Sequence, residues 1–409
     1  MIKRWLVQWE AINWTRYIDK ELMIVLTLLI GLGLAIMASA SVAVADKNNY
    51  TNILYFLDRQ IIFLCLGLFL ALIIYQIRMG FWQDLGVKLL FLVVFLLIIV
   101  LIPGIGKEVN GSRRWISLGL FTLQISEIAK LITLMYLAGY MVRHGKNLAT
   151  SPSYKPLLIP LGAMGFIGAL LLLEPDFGTM LVVMASSIAL LFLGGVRIRR
   201  LLLVILGSIA VMIPFLMMGY RGSRMMAFLD PWSYASGTGY QTIHALMAIG
   251  NGGWFGTGLG GGVLKLYVPE PHNDYIFSIL AEEFGFVGIV VVLFLFAWLV
   301  KRAFVIGFNA DKVKQHYSAY LAYGIGFWIG FQALFHIGVN MALLPPKGLT
   351  LPFISYGGSS LLIACIAMGL LMRIHRETQF ALYGGSTINQ KPPFKKTKIK
   401  TKISRRRTK

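Results

Sequence analysis

Long apolar runs constrain this chain more than any other feature. Ten of them, at about 23–45, 60–77, 87–103, 125–142, 156–173, 177–195, 200–219, 275–300, 318–341 and 355–372, lie near the roughly 17–25 residues a helix needs to cross a bilayer. They are continuously apolar and not alternating, so they read as helices and not as strands of a membrane barrel. Of 409 residues, 57% are hydrophobic and only 13% charged, whereas soluble domains run near about 45–50% and about 25%. The expected fold is an all-α polytopic membrane protein with ten transmembrane helices. It divides into a segment 1–22, a membrane domain 23–376 and a basic tail 377–409.

Loop charge sets the orientation. With both termini in the cytoplasm, the inner segments hold more Lys and Arg than the outer loops, even with the tail set aside. This places a large extracytoplasmic loop, about 220–273, between helices 7 and 8. Ala38-Ser39-Ala40 resembles a signal-peptide cleavage site, but the apolar run continues past it, so the first helix reads as an uncleaved anchor. The net charge of +21 is not a nucleic-acid footprint. It is concentrated in 391–409, which has no acid and reads as a solvated tail beside anionic membrane lipid. Cys65 and Cys365 both lie inside apolar runs and imply no disulfide framework.

Ionisable groups at membrane depth are costly and mark candidate sites. Glu127 and Lys130, three apart on the fourth helix, can pair on one face, either as a neutralised tie between helices or as part of a site. Arg113, Arg114 and Trp115 precede them in an outer loop, where two cations can hold a lipid pyrophosphate. Glu174-Pro175-Asp176 forms a tight outer turn. Two carboxylates are too few for a metal site, and Asp176 can equally cap the sixth helix. Asp274, after Pro269-Glu270-Pro271-His272-Asn273, enters the membrane at the eighth helix. Partial desolvation makes a carboxylate there more basic, suited to taking a proton from a sugar hydroxyl; a helix cap is the plainer alternative.

Gln332, His336 and Asn340 recur every four residues, a polar stripe that must face the bundle interior. After it come Pro345-Pro346-Lys347-Gly348-Leu349-Thr350-Leu351-Pro352 and Ser355-Tyr356-Gly357-Gly358-Ser359-Ser360. Such backbone is expected to re-enter the protein beside Asp274. The outer loop carries a glycine-dense stretch, 251–262, and its aromatics predict packing at the membrane surface. No Walker motif, zinc cluster or dinucleotide fingerprint is present in the sequence.

These motifs resemble the SEDS family (shape, elongation, division and sporulation) from about 23 to 376. The resemblance rests on Pro269-Glu270-x-His272-x-Asp274, on Lys347-Gly348-Leu349-Thr350-Leu351-Pro352-Phe353-Ile354-Ser355-Tyr356-Gly357-Gly358-Ser359-Ser360, and on Arg114-Trp115-Ile116 before Glu127-x-x-Lys130. The stretches 258–285 and 340–360 look most like the cell-division member. The chain departs from the family pattern at Ile125, His336 and Pro346, where proline, asparagine and threonine are usual; no candidate catalytic group is lost.

The resemblance implies a peptidoglycan glycosyltransferase that polymerises lipid II by inverting transfer during septal wall synthesis in the bacterial inner membrane. Asp274 would be the catalytic base. Arg114 and Lys347 would face the pyrophosphate, and His272, Asn273 and Ser359 would contact or position substrate. Glu127, Lys130, Gln332, His336 and Asn340 would build the cavity. The resemblance further implies support by a divalent cation, Mg or Mn, with unassigned ligands. Its implied partners are a single-pass class B penicillin-binding transpeptidase and other division proteins. A lipid II flippase and a non-enzymatic division scaffold are the competing readings.

Overall fold

The computed structural model describes residues 17–47 and 52–383, apart from 110, 118, 120, 151–153 and 218. Most of the expected N-terminal segment and of the basic tail, at 1–16 and 384–409, lies outside the described residues. Twelve α-helices follow in order: α1 Lys20–Lys47, α2 Tyr55–Gln76, α3 Met79–Val100, α4 Ile125–Thr150, α5 Lys155–Leu173, α6 Phe177–Leu193, α7 Ile198–Met217, α8 Gly219–Leu229, α9 Tyr240–Asn251, α10 Ile276–Lys312, α11 His316–Asn340 and α12 Gly358–Tyr383. Among the described residues, eight are long and apolar enough to cross a membrane. Helix α6, at 17 residues, is apolar but shorter, and α7 stands where the seventh run was expected. The chain is a multi-span membrane protein.

Helix ends depart from the apolar runs in a consistent way. Helix α3 begins at Met79, not 87, α4 continues to Thr150, α10 to Lys312 and α12 to Tyr383. Hydropathy marks the slab of hydrocarbon, whereas the helix persists into the interface because its backbone bonds stay satisfied there. Helix α12 therefore runs past 376, the boundary expected for the tail.

Burial separates the centre from the lipid-facing rim. Within their most apolar windows α4 and α12 are each 89% buried and α11 72%, against 17% for α2. Helices α4, α6 and α11 pack on one another, α10 packs along α11, and α2 along α12. An all-α reading misses one element, a three-stranded antiparallel sheet between α3 and α4. Its strands are β1 Gly106–Val109, β2 Ser112–Ser117 and β3 Thr122–Gln124. Gly111, at the β1–β2 turn, has φ 71°, a conformation glycine adopts at no steric cost. The long loop expected over 220–273 also has structure, holding α8 and α9, the latter packed on α10.

Candidate active site

The segment after α11 turns back and lines the face of the bundle that carries the sheet. It has no regular secondary structure through 345–350, where Leu349 N closes a tight turn onto Lys347 O at 3.0 Å, and its side chains part to opposite sides. Lys347 lies over the Phe177 ring at 4.6 Å, and Leu349 fills the space above Gly178, where a Cβ would come within 2.9 Å of Leu349 Cγ. Gly348 points the other way: a Cβ there would lie 3.4 Å from Asp274 Oδ2. One short segment thus contacts the N-terminal end of α6 with two residues and Asp274 with the third.

Asp274 is half-buried and stands two residues before α10. Its backbone is held firmly. Asn340 Nδ2 donates to Asp274 O at 3.0 Å, while Asn340 Oδ1 accepts from Ser278 N and Ser278 Oγ. The preceding residues are tied to the re-entrant segment: Tyr356 N donates to His272 O and Ser355 Oγ to Asn273 O, both at 2.9 Å. His272 stacks on Phe56, ring centroids 4.1 Å apart, and burial pushes its imidazole down to about 4. It is neutral at physiological pH. Glu270, half a turn away and exposed, sits 3.6 Å from His272 Nε2. His272 Nδ1 and Asn273 Oδ1 are buried with no hydrogen-bond partner.

Arg114 reaches the same face from β2. Its Nη1 is 3.4 Å from Asp176 Oδ1, its guanidinium lies over Trp115 at 4.6 Å, and its Nε is unpartnered. Asp176 is well occupied. It caps α6 through Thr179 N at 3.2 Å and also accepts from Ser126 Oγ at 2.6 Å and Gln124 Nε2 at 3.1 Å. Both readings of Asp176 are thereby decided for the cap. Neighbouring Glu174 is fully buried with both carboxyl oxygens unpartnered, and burial, then Asp176, raises its pKa to about 8 against the pull of Arg114. A neutral Glu174 leaves Arg114 and Asp176 balanced, so no surplus negative charge stands beside the guanidinium. Phe177 follows Asp176 directly, and Lys347 lies on its ring. Arg114, Lys347 and Asp274 are therefore linked through Asp176, Phe177 and Gly348.

The remaining candidates hold this arrangement in place. Lys130 Nζ is 2.8 Å from Glu127 Oε2 and 2.9 Å from Gln332 Oε1, which also accepts from Trp328 Nε1. Gln332 Nε2 donates to Thr350 O at 2.8 Å, and His336 Nδ1 lies 2.6 Å from Leu349 O. Gln332 and His336 of the α11 stripe thus anchor the re-entrant segment, while Asn340 holds the Asp274 backbone. Ser359 Oγ accepts from Gln124 N at 2.9 Å and lies 3.3 Å from Thr122 O, which places it on β3.

No group of three or more His, Cys, Asp or Glu side chains that could hold a metal occurs among the described residues. Asp176 is already engaged and Glu174 is enclosed, so the residues beside Arg114 do not form a protein-only cation site.

Sequence reasoning passed over Glu282 and Glu283, both fully buried in α10. Two adjacent acids in an apolar run were the available signal.

Fold and site together define a polytopic membrane protein whose re-entrant segment borders the Asp274 carboxylate on one side and carries Lys347 to the α6 end where Arg114 sits. The model of the FtsW, RodA and SpoVE family of cell cycle proteins matches residues 20–380. A "probable peptidoglycan glycosyltransferase FtsW" of Thioalkalivibrio sulfidiphilus is 49% identical over 364 residues, covering 88% of this chain and 90% of that one. Its namesake in Pseudomonas fluorescens is 48% identical over 356 residues, 86% of each chain. Among solved structures, the rod shape determining protein RodA of Thermus thermophilus is 30% identical with a TM-score of 0.64, covering 89% of this chain and 98% of that one. A chain from a peptidoglycan synthase complex that coordinates polymerization and crosslinking is 29% identical with a TM-score of 0.72, covering 88% and 98%. The chain belongs to the FtsW/RodA/SpoVE family, the SEDS family its motifs resemble.

Proposed function

We propose that this protein is a peptidoglycan glycosyltransferase that polymerises lipid II, with Asp274 as general base. The observation that carries this is the half-buried Asp274 carboxylate held against Gly348, on the re-entrant segment whose Lys347 reaches the α6 end where Arg114 sits. Asp274 takes the proton from the acceptor's sugar hydroxyl as that oxygen attacks the donor's anomeric carbon, and the bond to undecaprenyl pyrophosphate breaks. General-base assistance typically contributes about 10²–10⁴ in rate. Arg114 and Lys347 face the charge that develops on the leaving pyrophosphate, an electrostatic contribution of comparable or larger size. Burial keeps His272 neutral, and its backbone carbonyl and its ring, packed on Phe56, fix the approach to Asp274. A divalent cation would be held by the substrate's own phosphates, since no set of protein ligands for it is assembled among the described residues, and would supply positive charge to the leaving group.

The site face is outward, by the loop charges, and the membrane is the bacterial inner membrane at the septum. A single-pass class B penicillin-binding transpeptidase crosslinks the product. The likeness to a chain from a synthase complex that joins polymerization to crosslinking supports this partner. With Gln332 and His336 on the re-entrant segment and Asn340 on Asp274, the α11 stripe serves this site, which favours the polymerase over the flippase.

Lipid II polymerisation by the purified protein with its transpeptidase, comparing wild type with Asp274→Asn at matched folding, tests the reading. Strands from wild type and none from D274N are expected. Equal yield from both would remove Asp274 as the base, and no strands from either would overturn the polymerase.

A further inference from the structure

Helix α10 is not one rod. Gly285, at φ 64° and ψ −161°, breaks it, so 276–284 forms a short piece with Asp274 just ahead of it. A break leaves carbonyls unpaired on one side and amides on the other, a costly state at membrane depth. The glycine-dense stretch supplies both kinds of partner. Thr257 N and Gly258 N donate to Glu282 O and Glu283 O, both at 3.0 Å. From beyond the break Phe286 N and Val287 N donate to Gly253 O at 2.9 Å and Trp254 O at 3.1 Å. Such close approach excludes side chains: a Cβ on Gly252 would collide with Ala281 O, and one on Gly256 with Glu283 O.

Side chains lock the splint. Glu282 Oε1 accepts from Asn251 Nδ2 at 3.0 Å, Val263 N at 2.9 Å and Leu264 N at 3.0 Å. Glu283 Oε1 accepts from Lys265 Nζ at 2.9 Å and from Ser39 Oγ of α1. Lys265 Nζ also donates to Ser39 Oγ at 2.7 Å and Gly260 O at 2.8 Å. At its front the same short piece is held by Asn340, through Asp274 O and Ser278.

We infer that Glu282, Glu283 and Lys265 are positioning residues, which clamp the 276–284 piece to the outer loop and α1 and thereby set Asp274 against Gly348. The inference rests on Asp274 acting on lipid II. A carboxylate displaced by about an ångström loses on the order of 10²-fold in rate without losing its substrate contacts.

The test uses the full chain with its transpeptidase and lipid II. Glu282→Ala is expected to lower kcat by about 10²-fold with KM within about twofold. Hydrogen exchange should quicken at 275–284 and stay unchanged in α11. Glu282→Gln keeps the Oε1 acceptor and should retain near-wild-type kcat. Should E282A fail to fold, Gly256→Ala displaces the same loop and should give the same split. Wild-type kcat with unchanged exchange in these variants would overturn the inference, as would loosened exchange throughout the bundle with unchanged kcat per folded molecule. Activity in Asp274→Asn would instead sink the base assignment, leaving the exchange measurement to report on the clamp by itself.

Discussion

Gly348 presents bare backbone to the Asp274 carboxylate, with space for a Cβ 3.4 Å from Oδ2 and 3.7 Å from Oδ1. A methyl there makes ordinary contact, whereas a branched side chain must displace the carboxylate or the segment. Gly348→Ala is expected to lower kcat by a few fold and Gly348→Val by about 10²-fold or more, without loss of fold. Initial rates of lipid II polymerisation, set beside thermal unfolding in detergent, check this. Wild-type rates in G348V would show that the segment does not border the reacting groups.

The Glu127–Lys130 pair is almost fully buried, with side-chain exposures of 6% and 1%. Removing Glu127 leaves the Lys130 ammonium only Gln332 Oε1 and the Trp328 ring, and removing Lys130 leaves a buried carboxylate without its counter-charge. Lys130→Met or Glu127→Gln should each cost about 3–5 kcal/mol, and the double variant less than the two losses added together. A double-mutant cycle by denaturant or thermal unfolding measures the coupling; strict additivity would mean that the pair does not interact.

Glu174 gives a pH signature. Its pKa rises from 4.5 to about 8 on folding, so the folded state holds the proton more tightly than the unfolded one. Stability is then highest at acid pH and declines as pH climbs from about 4.5 to about 8. Glu174→Gln abolishes that decline, so its unfolding temperature should exceed wild type by a few degrees at pH 8 and match it near pH 4.5. Ionised Glu174 also opposes an anion beside Arg114, so KM for lipid II should rise above pH 8 in wild type only. Parallel pH curves for the two proteins would contradict both expectations.

His272 has the opposite sign. Burial lowers its pKa from 6.5 to about 4, so its contribution is present above about 6.5 and is lost as pH falls towards 4. Replacement by Phe, which keeps the stack on Phe56, should remove that acid-side loss. Unfolding midpoints at pH 4, 5 and 7 decide it, and an unchanged acid slope in His272→Phe would assign the loss elsewhere.

Much of this was legible in the residues because the bilayer forces it. Long apolar runs have one stable solution, and Asp274 and Arg114 stood out as charges where charge is expensive, while Lys347 came from the family motif. The pairing of Glu127 with Lys130 followed from spacing alone. The sheet was missed although Asn110-Gly111 is a strong short-range hairpin signal, because the segment between two spans was weighed only for charge. The break in α10 was not readable. A glycine inside a helix is usually tolerated, and what makes Gly285 a joint is a loop about thirty residues earlier in the chain that pairs with it. Ser359 illustrates the same limit: its partners on β3 lie 235 and 237 residues away.

Because Lys347 and Leu349 contact α6 while Gly348 contacts Asp274, a single thickness of main chain separates the two ends of the site. The gap between the proton acceptor and the cation facing the leaving group is then gauged by covalent bond lengths. Side-chain drift around this segment can retune charge and shape, but the spacing of the two chemical ends is inherited with the backbone itself.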